Sequence, residues 1–324
     1  MSLGEFDLIR RFFQRPASPA GDAVALGVGD DCALLAPAPG MQLAISSDML
    51  VEGRHFLSTV DPARLGHKAL AVNLSDLAAC GATPRAFTLA LALPAVDEAW
   101  LQAFAQGLFA LADAQGCALV GGDTTRGPLN LCITVFGEVP AGQALLRSGA
   151  RAGDEVWASG TLGDARLALE VFRGRTSISA AAFAAARTRM ETPTPRVALG
   201  QALRGVASAA IDVSDGLLGD LGHILDASSV GATLDAAAAQ GLLACTEITD
   251  ANTRLDLALA GGDDYELCFT APAAQHAAVL QAAQQAGVRV TRIGCIDAEP
   301  GVRVRDTQGR AIARRFASFD HFAG

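Results

Sequence analysis

Short apolar runs alternate along the chain with segments of helical periodicity. Residues 87–93 have the length and composition of a buried strand, whereas apolar side chains between 101 and 111 recur at helical spacing. This alternation is typical of α/β and α+β proteins, in which helices cover the faces of a sheet. A length of 324 residues is enough for about two domains. We therefore predict an α/β protein (α+β type) that comprises two domains.

The segment 141–153 is rich in glycine and alanine and is the best candidate for a domain boundary. We accordingly predict an N-terminal domain over 1–141 and a C-terminal α/β domain over 142–324. Within the first, an aspartate followed by a proline predicts the start of a helix over 62–80. The apolar residues from 41 onward predict a strand that ends at Ser46-Ser47-Asp48.

The charge and the scarcity of lysine exclude several classes of function. The formal net charge is −9, so we expect no nucleic-acid partner, because proteins that bind nucleic acids usually present a basic face. Lys68 is the only lysine, and no G-x-x-x-x-G-K-[ST] sequence is present, which excludes a P-loop. No apolar run reaches the roughly 18 residues of a membrane span, so no membrane partner is expected either.

The seven cysteines are scattered singly, and none forms a C-x-x-C pair. Most stand in apolar stretches, as Cys132 does between Leu131 and Ile133. We therefore expect neither disulfides nor a zinc site. Reduced thiols within the core indicate a cytoplasmic protein.

Aspartates beside glycine or serine are the main candidates for chemistry. They recur where predicted strands end, in the sequences Gly29-Asp30-Asp31, Ser46-Ser47-Asp48, Ser75-Asp76, Gly121-Gly122-Asp123-Thr124-Thr125, Asp212-Val213-Ser214-Asp215-Gly216 and Gly261-Gly262-Asp263-Asp264. Mg²⁺ prefers hard oxygen ligands such as carboxylates, water and phosphate oxygens. Phosphoryl transfer uses such ions to neutralise charge on the phosphates. The pattern therefore favours a Mg²⁺-dependent enzyme that acts on phosphate groups.

An alternative explanation is that each of these aspartates caps a turn or a helix, which is a common role beside glycine or serine. Asp76 is harder to explain in this way, since it lies inside the predicted helix, where aspartate is a poor helix former. It shares a helix face with Asn73, three residues earlier. A bound metal ion would explain why this polar pair occurs in an otherwise apolar segment.

Gly121 and Gly122 follow an apolar run and precede Asp123. Glycines allow a backbone to approach a phosphate closely, so this segment is a candidate for phosphate binding. Arg147 could clamp a phosphate through two hydrogen bonds. A solvated surface arginine is an equally good interpretation of that residue.

These segments together resemble the thiamine-monophosphate kinase family, which shares a superfamily with aminoimidazole ribonucleotide synthetase and selenophosphate synthetase. The resemblance extends nearly from end to end, and the stretch from Asp48 to Phe56, with the pattern D-x-x-x-x-G-x-H-F, is its most diagnostic part. The other segments that carry it are Gly4-Glu5-Phe6, Gly27-Val28-Gly29-Asp30-Asp31-Cys32-Ala33, Ala71-Val72-Asn73-Leu74-Ser75-Asp76-Leu77-Ala78, Gly121-Gly122-Asp123-Thr124-Thr125, Ile211-Asp212-Val213-Ser214-Asp215-Gly216-Leu217 and Gly262-Asp263-Asp264-Tyr265-Glu266-Leu267.

The resemblance implies that the protein transfers a phosphoryl group from ATP, its co-substrate, to thiamine monophosphate and so forms thiamine diphosphate. It implies several Mg²⁺ ions, direct in-line transfer and no covalent catalytic residue. It also implies a homodimer whose N-terminal domains pair their sheets, with ATP and the metal ions in the cleft.

Individual site residues follow from the resemblance by position. The implied metal ligands are Asp31, Ser46, Ser47, Asp48, Asp76, Asp123, Asp212 and Asp215. The implied ATP contacts are Gly122, Asp123, Arg147 and Ser214, and the implied contacts to the thiamine phosphate are His55, Asp263 and Phe316. Two positions depart from the family's pattern. Asp263 stands where glutamate is frequent, and Phe316 stands where tryptophan is frequent, with Phe319 as the competing assignment.

Two other functions stay open from the sequence. An enzyme like aminoimidazole ribonucleotide synthetase fits the superfamily but gives no reason for the motif around His55. A non-catalytic nucleotide-binding protein would have less need of so many carboxylates. Selenophosphate synthetase fits poorly, because its reactive cysteine and lysine lie near the N-terminus, whereas the first such residues here are Cys32 and Lys68.

Overall fold

The computed structural model describes residues 4–15, 23–29, 31–314 and 316. These residues form two compact units. The first unit ends at Gly142 and the second begins at Gln143, except that the short segment Ala78–Gly81 groups with the second. Both units combine helices with a mixed sheet, which confirms the predicted fold class.

The first unit contains a sheet of four strands in the order β3-β6-β4-β5 and a separate ribbon of β1 and β2. Within the sheet, β6 is antiparallel to both of its neighbours, and β4 is parallel to β5. The elements are α1 (Glu5–Leu8), which continues as a π-helical turn over Ile9–Phe13, β1 (Val24–Leu26), β2 (Leu34–Leu35), β3 (Met41–Val51), α2 (Pro62–Ala79), β4 (Thr83–Leu93), α3 (Glu98–Ala114), β5 (Ala118–Arg126) and β6 (Asn130–Pro140).

One face of this sheet is open at the edge strand β3. Side chains alternate between the two faces of a strand, and every second residue of β3 is exposed. The large apolar side chains among them expose between 37% and 60% of their surface, and they are Met41, Leu43, Ile45, Met49 and Val51. We call these five residues the β3 apolar stripe. The intervening residues of the strand, from Ala44 onward, are half-buried or buried.

Helix α2 contacts the other face of the sheet and crosses α3 at two glycines. A Cβ atom on Gly66 would lie 2.1 Å from the carbonyl oxygen of Phe104, and one on Gly107 would lie 1.8 Å from that of Ala63. Any side chain at either position would therefore separate the helices. These two glycines thus allow the close approach of α2 to α3. Separately, hydrogen bonds join Asn73 and Asp76 of α2 to β3.

The second unit is built on a sheet of six strands in the order β12-β9-β11-β7-β10-β8. Only the β12–β9 pair is parallel. The elements are β7 (Asp154–Ser159), α4 (Asp164–Phe172), α5 (Ala180–Glu191), α6 (Val197–Ala202), β8 (Ala209–Asp212), α7 (Leu217–Ser228), β9 (Gly231–Asp235), α8 (Ala236–Gln240), α9 (Ala251–Ala260), β10 (Leu267–Pro272), a 3₁₀ turn over Ala273–Gln275, α10 (His276–Ala286), β11 (Val290–Asp297) and β12 (Gly301–Arg305).

The core of the second unit is aliphatic and lies where α7 and α9 cover the sheet. Leu217, Leu221 and Ile224 recur at helical spacing along α7, and all three are fully buried. They pack in one cluster with strand residues such as Val156 of β7 and Leu234 of β9. This packing holds the end of β8 and the start of α7 in one place. Among the residues described, no helix is both long enough and apolar enough to cross a membrane.

Candidate active site

A cavity of about 700 Å³ lies in the first unit, within the size range of small-ligand sites. It is lined by the first helical segment, by the loop that precedes β2 and by β5. Among its lining residues are Asp31, Gly122 and Asp123, so the fold brings together three of the predicted site residues. Both carboxylates are exposed. They can therefore meet a cation without first losing their hydration inside the protein.

The same cavity is lined by Arg10 and Gln14, which the sequence did not mark as site residues. Arg10 also forms an ion pair with Asp7, one helical turn earlier. The cavity thus presents a guanidinium group as well as carboxylates, a combination suited to an anionic ligand accompanied by a cation. No local pattern predicts this role, because it depends on the N-terminal helix lining the same cavity as β5.

Gly122 is required by the pairing of β5 with β4. Its φ is +149°, and a Cβ atom there would lie 1.9 Å from the carbonyl oxygen of Leu89. Gly121 has no such restriction, since its Cβ atom would meet only the Cγ2 of Thr88 at 3.8 Å. A glycine is therefore needed at position 122 mainly because β4 and β5 approach each other closely there. Its place in the cavity lining remains compatible with the predicted ATP contact.

The polar pair on α2 joins that helix to the edge strand. The Oγ of Ser46 donates a 2.5 Å hydrogen bond to Oδ2 of Asp76, and the backbone N–H of Asp48 donates a 2.9 Å bond to Oδ1 of Asn73. The amide of Asn73 in turn donates to the carbonyl of Ala69 on its own helix. Asn73 and Asp76 therefore have a structural role that the sequence did not indicate. A metal-binding role for Asp76 remains a prediction.

The predicted end of β3 was wrong. The strand continues through Ser46, Ser47 and Asp48 to Val51, because these polar residues find partners on adjacent elements. The Oγ of Ser47, for example, lies 3.1 Å from the carbonyl oxygen of Ile133 on β6. The same error affects Asp123, which lies inside β5. Both predicted site segments are thus held by a sheet, which makes their side chains more rigid than a loop would.

His55 follows β3 in a tight turn that is stabilised by its own ring. Its Nδ1 accepts a 2.9 Å hydrogen bond from the backbone N–H of Val51, and its backbone N–H donates to the carbonyl of the same residue. An accepting Nδ1 places the ring proton of the neutral imidazole on Nε2. The Nζ of Lys68 lies 3.5 Å from the carbonyl oxygen of His55, although its side chain is buried in α2. The turn therefore holds the ring in a defined orientation.

Two segments of the second unit lie side by side and carry four of the predicted residues. We call 212–216 the first loop and 261–266 the second loop. The N–H of Asp263 donates to the carbonyl of Ser214 at 2.7 Å, and the N–H of Tyr265 donates to the carbonyl of Val213 at 2.9 Å. The predicted residues Ser214 and Asp215 are thereby positioned next to Asp263, whereas Asp212 is the last residue of β8 and pairs with Leu267 of β10.

The second loop has an unusual backbone. Asp263 and Tyr265 adopt positive φ values of 71° and 53°, which non-glycine residues rarely do. Between and beyond them, the side chains of Asp264 and Glu266 are completely buried. Such conformations persist only where the surroundings impose them, and they are frequent at functional sites.

Glu266 anchors the second loop through a buried network of ion pairs. Arg196 donates to both of its carboxylate oxygens at 2.6 Å, Arg189 donates to Oε1 at 2.6 Å, and the Oγ of Ser159 donates to Oε2 at 2.5 Å. Gly160 must be a glycine here, because a Cβ atom would lie 2.1 Å from Oε1 of Glu266. The negative charge of the buried carboxylate is therefore offset by two guanidinium groups.

Asp264 has a different environment, although it is equally buried. Its Oδ2 accepts a 2.9 Å hydrogen bond from the N–H of Gly163 at the start of α4, and its Oδ1 has no partner among the described residues. Burial raises the pKa of Asp264 well above its ordinary value of 3.8, and the hydrogen bond from Gly163 opposes this shift. The fold therefore favours the protonated form of this carboxyl.

Asp220 supports the first loop in a way that the sequence did not reveal. It lies in the first turn of α7 and is 97% buried, since only 3% of it is exposed. Its Oδ2 accepts hydrogen bonds from the backbone N–H groups of Ser214, Asp215 and Gly216 at 3.1, 3.2 and 3.1 Å. Burial and the nearby Asp215 carboxylate raise the pKa of Asp220 to about 7, although the three amides oppose the shift.

The remaining predicted residues of the second unit, Arg147 and Phe316, make their contacts elsewhere in the unit. Arg147 is exposed, and its carbonyl accepts a 3.4 Å hydrogen bond from Ser228. Phe316 packs partly buried against the core of the unit, with the guanidinium carbon of Arg314 5.9 Å from its ring centroid. The alternative aromatic residue, Phe319, lies outside the described residues.

The predicted metal ligands are not gathered into a single cluster. Across residues 4–15, 23–29, 31–314 and 316, no group of three or more His, Cys, Asp or Glu side chains is arranged to hold an ion. Instead the fold forms smaller groups, with Asp31 near Asp123 in the cavity and Ser46 against Asp76. The complete set of metal ligands therefore remains a prediction.

Family comparisons agree with this architecture. Residues 29–139 match the N-terminal domain of the AIR synthase related proteins, and residues 151–307 match the C-terminal domain of the same family. The chain is therefore an AIR synthase related protein.

Its relatives define the family more narrowly. The chain is 49% identical to a thiamine-monophosphate kinase from Salmonella typhimurium, over 100% of this chain and 99% of the relative. A crystal structure of thiamine-monophosphate kinase from Stenotrophomonas maltophilia K279a superimposes with a TM-score of 0.84 at 47% identity, covering 96% of this chain and 99% of that one. A structure of AaThiL complexed with AMPPCP and TMP has a TM-score of 0.74 at 27% identity, covering 98% and 96%. The chain belongs to the thiamine-monophosphate kinase family.

Proposed function

We propose that this protein is an ATP-dependent kinase that converts thiamine monophosphate to thiamine diphosphate. Membership of the thiamine-monophosphate kinase family over the whole chain carries this proposal. The cavity that holds Asp31, Gly122 and Asp123 supports it, because an anionic ligand with its cation needs oxygen donors such as these carboxylates and a closely approaching backbone. A nucleotide analogue and TMP are bound by the relative AaThiL, which supports ATP and thiamine monophosphate as the two substrates here.

The predicted metal set is consistent with Mg²⁺ in its chemistry. All of its members are carboxylate or hydroxyl oxygen donors, the ligands that Mg²⁺ prefers. We propose that Asp31, Ser46, Ser47, Asp48, Asp76 and Asp123 bind these ions in the first unit, and that Asp212 and Asp215 do so in the second. Bound Mg²⁺ would neutralise the charge of the transferring phosphoryl group.

The protein's own residues supply binding and orientation. The phosphate oxygen of thiamine monophosphate is already a nucleophile, so the reaction needs no side-chain base and no covalent intermediate. We assign nucleotide contacts to Gly122, Asp123, Arg147 and Ser214, and substrate contacts to His55, Asp263 and Phe316. Rigid placement of both phosphates in line is then the main contribution of the fold.

A direct assay tests this function. The purified protein is incubated with ATP, Mg²⁺ and thiamine monophosphate, and thiamine diphosphate and ADP are measured together. Equal amounts of both products are expected. ADP without thiamine diphosphate would contradict the proposal and point to another reaction of the superfamily.

Variants locate the reaction within the protein. Asp123→Ala should abolish turnover because it removes a carboxylate from the cavity. The matched control is Asp113→Ala, which removes an exposed carboxylate that pairs with Arg15 in the same unit. If Asp123→Ala turns over at a near-normal rate, the assignment of this cavity is wrong.

We further propose that a second copy of the chain covers the β3 apolar stripe. An exposed row of large apolar side chains on a sheet face is unfavourable in water and favours association. Ile45, exposed by 60%, is the best position for a test. Ile45→Lys should convert a dimer into a monomer in light-scattering chromatography, whereas Leu280→Lys, on the exposed apolar Leu280 of α10, should not. A dimer that survives Ile45→Lys would exclude this face.

The remaining expectations follow from this function. We propose that the domains act as predicted, over 1–141 and 142–324, with the first carrying the metal-binding carboxylates. We also propose a cytoplasmic location, which is supported by the need for ATP. The seven cysteines agree with it, since none forms a disulfide in the part of the chain that the structure describes.

A further inference from the structure

The first loop of the second unit has the shape of an anion-binding nest that is already filled. Three successive backbone N–H groups, those of Ser214, Asp215 and Gly216, converge at the start of α7. Such a row of amides at a helix N-terminus is a common phosphate site. Here the Oδ2 of Asp220 occupies it at 3.1 to 3.2 Å. A phosphate oxygen therefore cannot bind these amides while Asp220 is in place.

The backbone of Ser214 is also occupied on its other side. Its carbonyl accepts the N–H of Asp263 at 2.7 Å, and the carbonyl of Val213 accepts the N–H of Tyr265. Gly262 comes so close that a Cβ atom on it would lie 2.4 Å from the Ser214 carbonyl oxygen. Because their amides and the Ser214 carbonyl are bonded within the protein, Ser214 and Asp215 would meet a ligand through their side chains rather than through these backbone groups.

We infer that Asp220 is a positioning residue, which holds the first loop so that the Ser214 hydroxyl and the Asp215 carboxylate are presented to the nucleotide and its cation. Asp220 itself is buried, and its Oδ2 bonds to the three amides of the loop. One buried oxygen bonded to three consecutive amides leaves the loop little freedom to move. This inference rests on the proposed kinase function. It deepens that function by naming the residue that holds one part of the site in position.

Two substitutions separate positioning from charge. Asp220→Ala removes the acceptor and frees the three amides, whereas Asp220→Asn keeps an acceptor oxygen of the same shape without the negative charge. Misplacement of reacting groups by about 1 Å can cost about 100-fold in rate. We therefore expect Asp220→Ala to lower kcat by about 10- to 100-fold and to raise KM for ATP, while Asp220→Asn stays within about threefold of the unaltered protein.

The matched control is Asp154→Ala. Asp154 is also a buried carboxylate, 5% exposed, and it accepts hydrogen bonds from the N–H of Arg151 and the Oγ of Ser208. Its loss should lower the melting temperature as Asp220→Ala does, but should leave kcat within about twofold. If Asp220→Ala does not fold, Asp220→Ser is measured instead, since its shorter hydroxyl cannot reach all three amides.

The result can fail independently of the kinase assignment. If the unaltered protein makes no thiamine diphosphate, the proposed function is wrong, and the variants are then compared by calorimetric titration with MgADP. Weaker MgADP binding in Asp220→Ala, but not in Asp220→Asn or Asp154→Ala, would still support positioning. The inference is overturned if Asp220→Ala keeps both kcat and MgADP affinity, if Asp220→Asn is as impaired as Asp220→Ala, or if the unaltered protein does not bind MgADP.

Discussion

The Oγ of Ser46 on β3 donates a 2.5 Å hydrogen bond to Oδ2 of Asp76 on α2. This bond links two residues that were both predicted as metal ligands, and it joins an edge strand to the helix that covers it. The carboxylate of Asp76 therefore has a structural role beside any catalytic one. The two roles make different predictions for its variants.

Asp76→Asn keeps an acceptor for Ser46 but removes the charge that a metal ion needs. We expect turnover to fall by at least about 100-fold, because a neutral amide is a poor ligand for Mg²⁺. Stability should change by less than in Asp76→Ala, which also loses the hydrogen bond and should cost about 1 kcal/mol. Steady-state kinetics and urea denaturation of both variants test this. An active Asp76→Asn would leave Asp76 with the structural role alone.

Arg196 is expected to be essential for the stability of the second unit. Replacing it with alanine removes the two-pronged partner of the fully buried Glu266 and leaves Arg189 paired with it. The cost should approach the roughly 3–5 kcal/mol of breaking a buried ion pair on one side. Arg292→Ala is the control, since Arg292 pairs with Glu155 at the surface with half of its side chain exposed. That pair should contribute less than about 1 kcal/mol. Equal losses in the two variants would contradict the role of burial.

Gly122→Ala should disrupt the pairing of β4 with β5. The new Cβ atom would overlap the carbonyl oxygen of Leu89, and overpacking of this kind costs at least about 1–3 kcal/mol. The adjacent variant Gly121→Ala is the control, because its Cβ atom finds an ordinary contact. Thermal unfolding should show a clear loss for the first and little change for the second. Comparable melting temperatures would mean that β5 shifts without cost.

Asp264 should make the protein less stable as the pH rises. Burial raises its pKa well above 3.8, so the folded state keeps a proton that the unfolded chain loses above about pH 4. The folded state then binds more protons, and stability falls with increasing pH. Asp264→Asn cannot ionise and keeps an acceptor for the N–H of Gly163. Its advantage over the unaltered protein should therefore grow as the pH rises above the ordinary pKa of an aspartate, about 4.

Urea denaturation at several pH values measures this difference. The control is Asp306→Asn, because hydrogen bonds from Arg310 and neighbouring amides lower the pKa of the half-buried Asp306. That carboxyl is ionised in both states above about pH 5, so its variant should differ from the unaltered protein by a constant amount. Parallel stability curves for Asp264→Asn and the unaltered protein would show that Asp264 is ionised in the fold.

Local patterns predicted the elements of the first unit well where the signals were strong. The predicted helix over 62–80 is observed as α2, Pro62–Ala79, because its capping signal and its apolar face agree. The strand from residue 41 continues to Val51, beyond the predicted end at Ser46-Ser47-Asp48. Serine and aspartate indicate a turn by themselves, but here partners on α2 and β6 satisfy them within a strand.

The role of Asp220 could not be predicted at all. An aspartate in the first turn of a helix is common, because it complements the helix dipole. Nothing in the sequence shows that its oxygen bonds three amides of the preceding loop. Likewise, Arg10 has no local signal for its place in the cavity. Both roles depend on the path of the backbone in space.

By itself, the sequence determined the two-domain α/β class, the family and the identities of the oxygen donors. Composition, periodicity and motifs are sufficient to indicate these properties. Only the tertiary structure decided which of those oxygens are already bonded. In the folded chain Ser46 is hydrogen-bonded to Asp76, and Asp220 fills the nest of three amides. Asp264 is fully buried, which favours its protonated form. The physical reason is that a hydrogen bond between distant residues depends on strand register and helix position, which are determined by the packing of the whole unit.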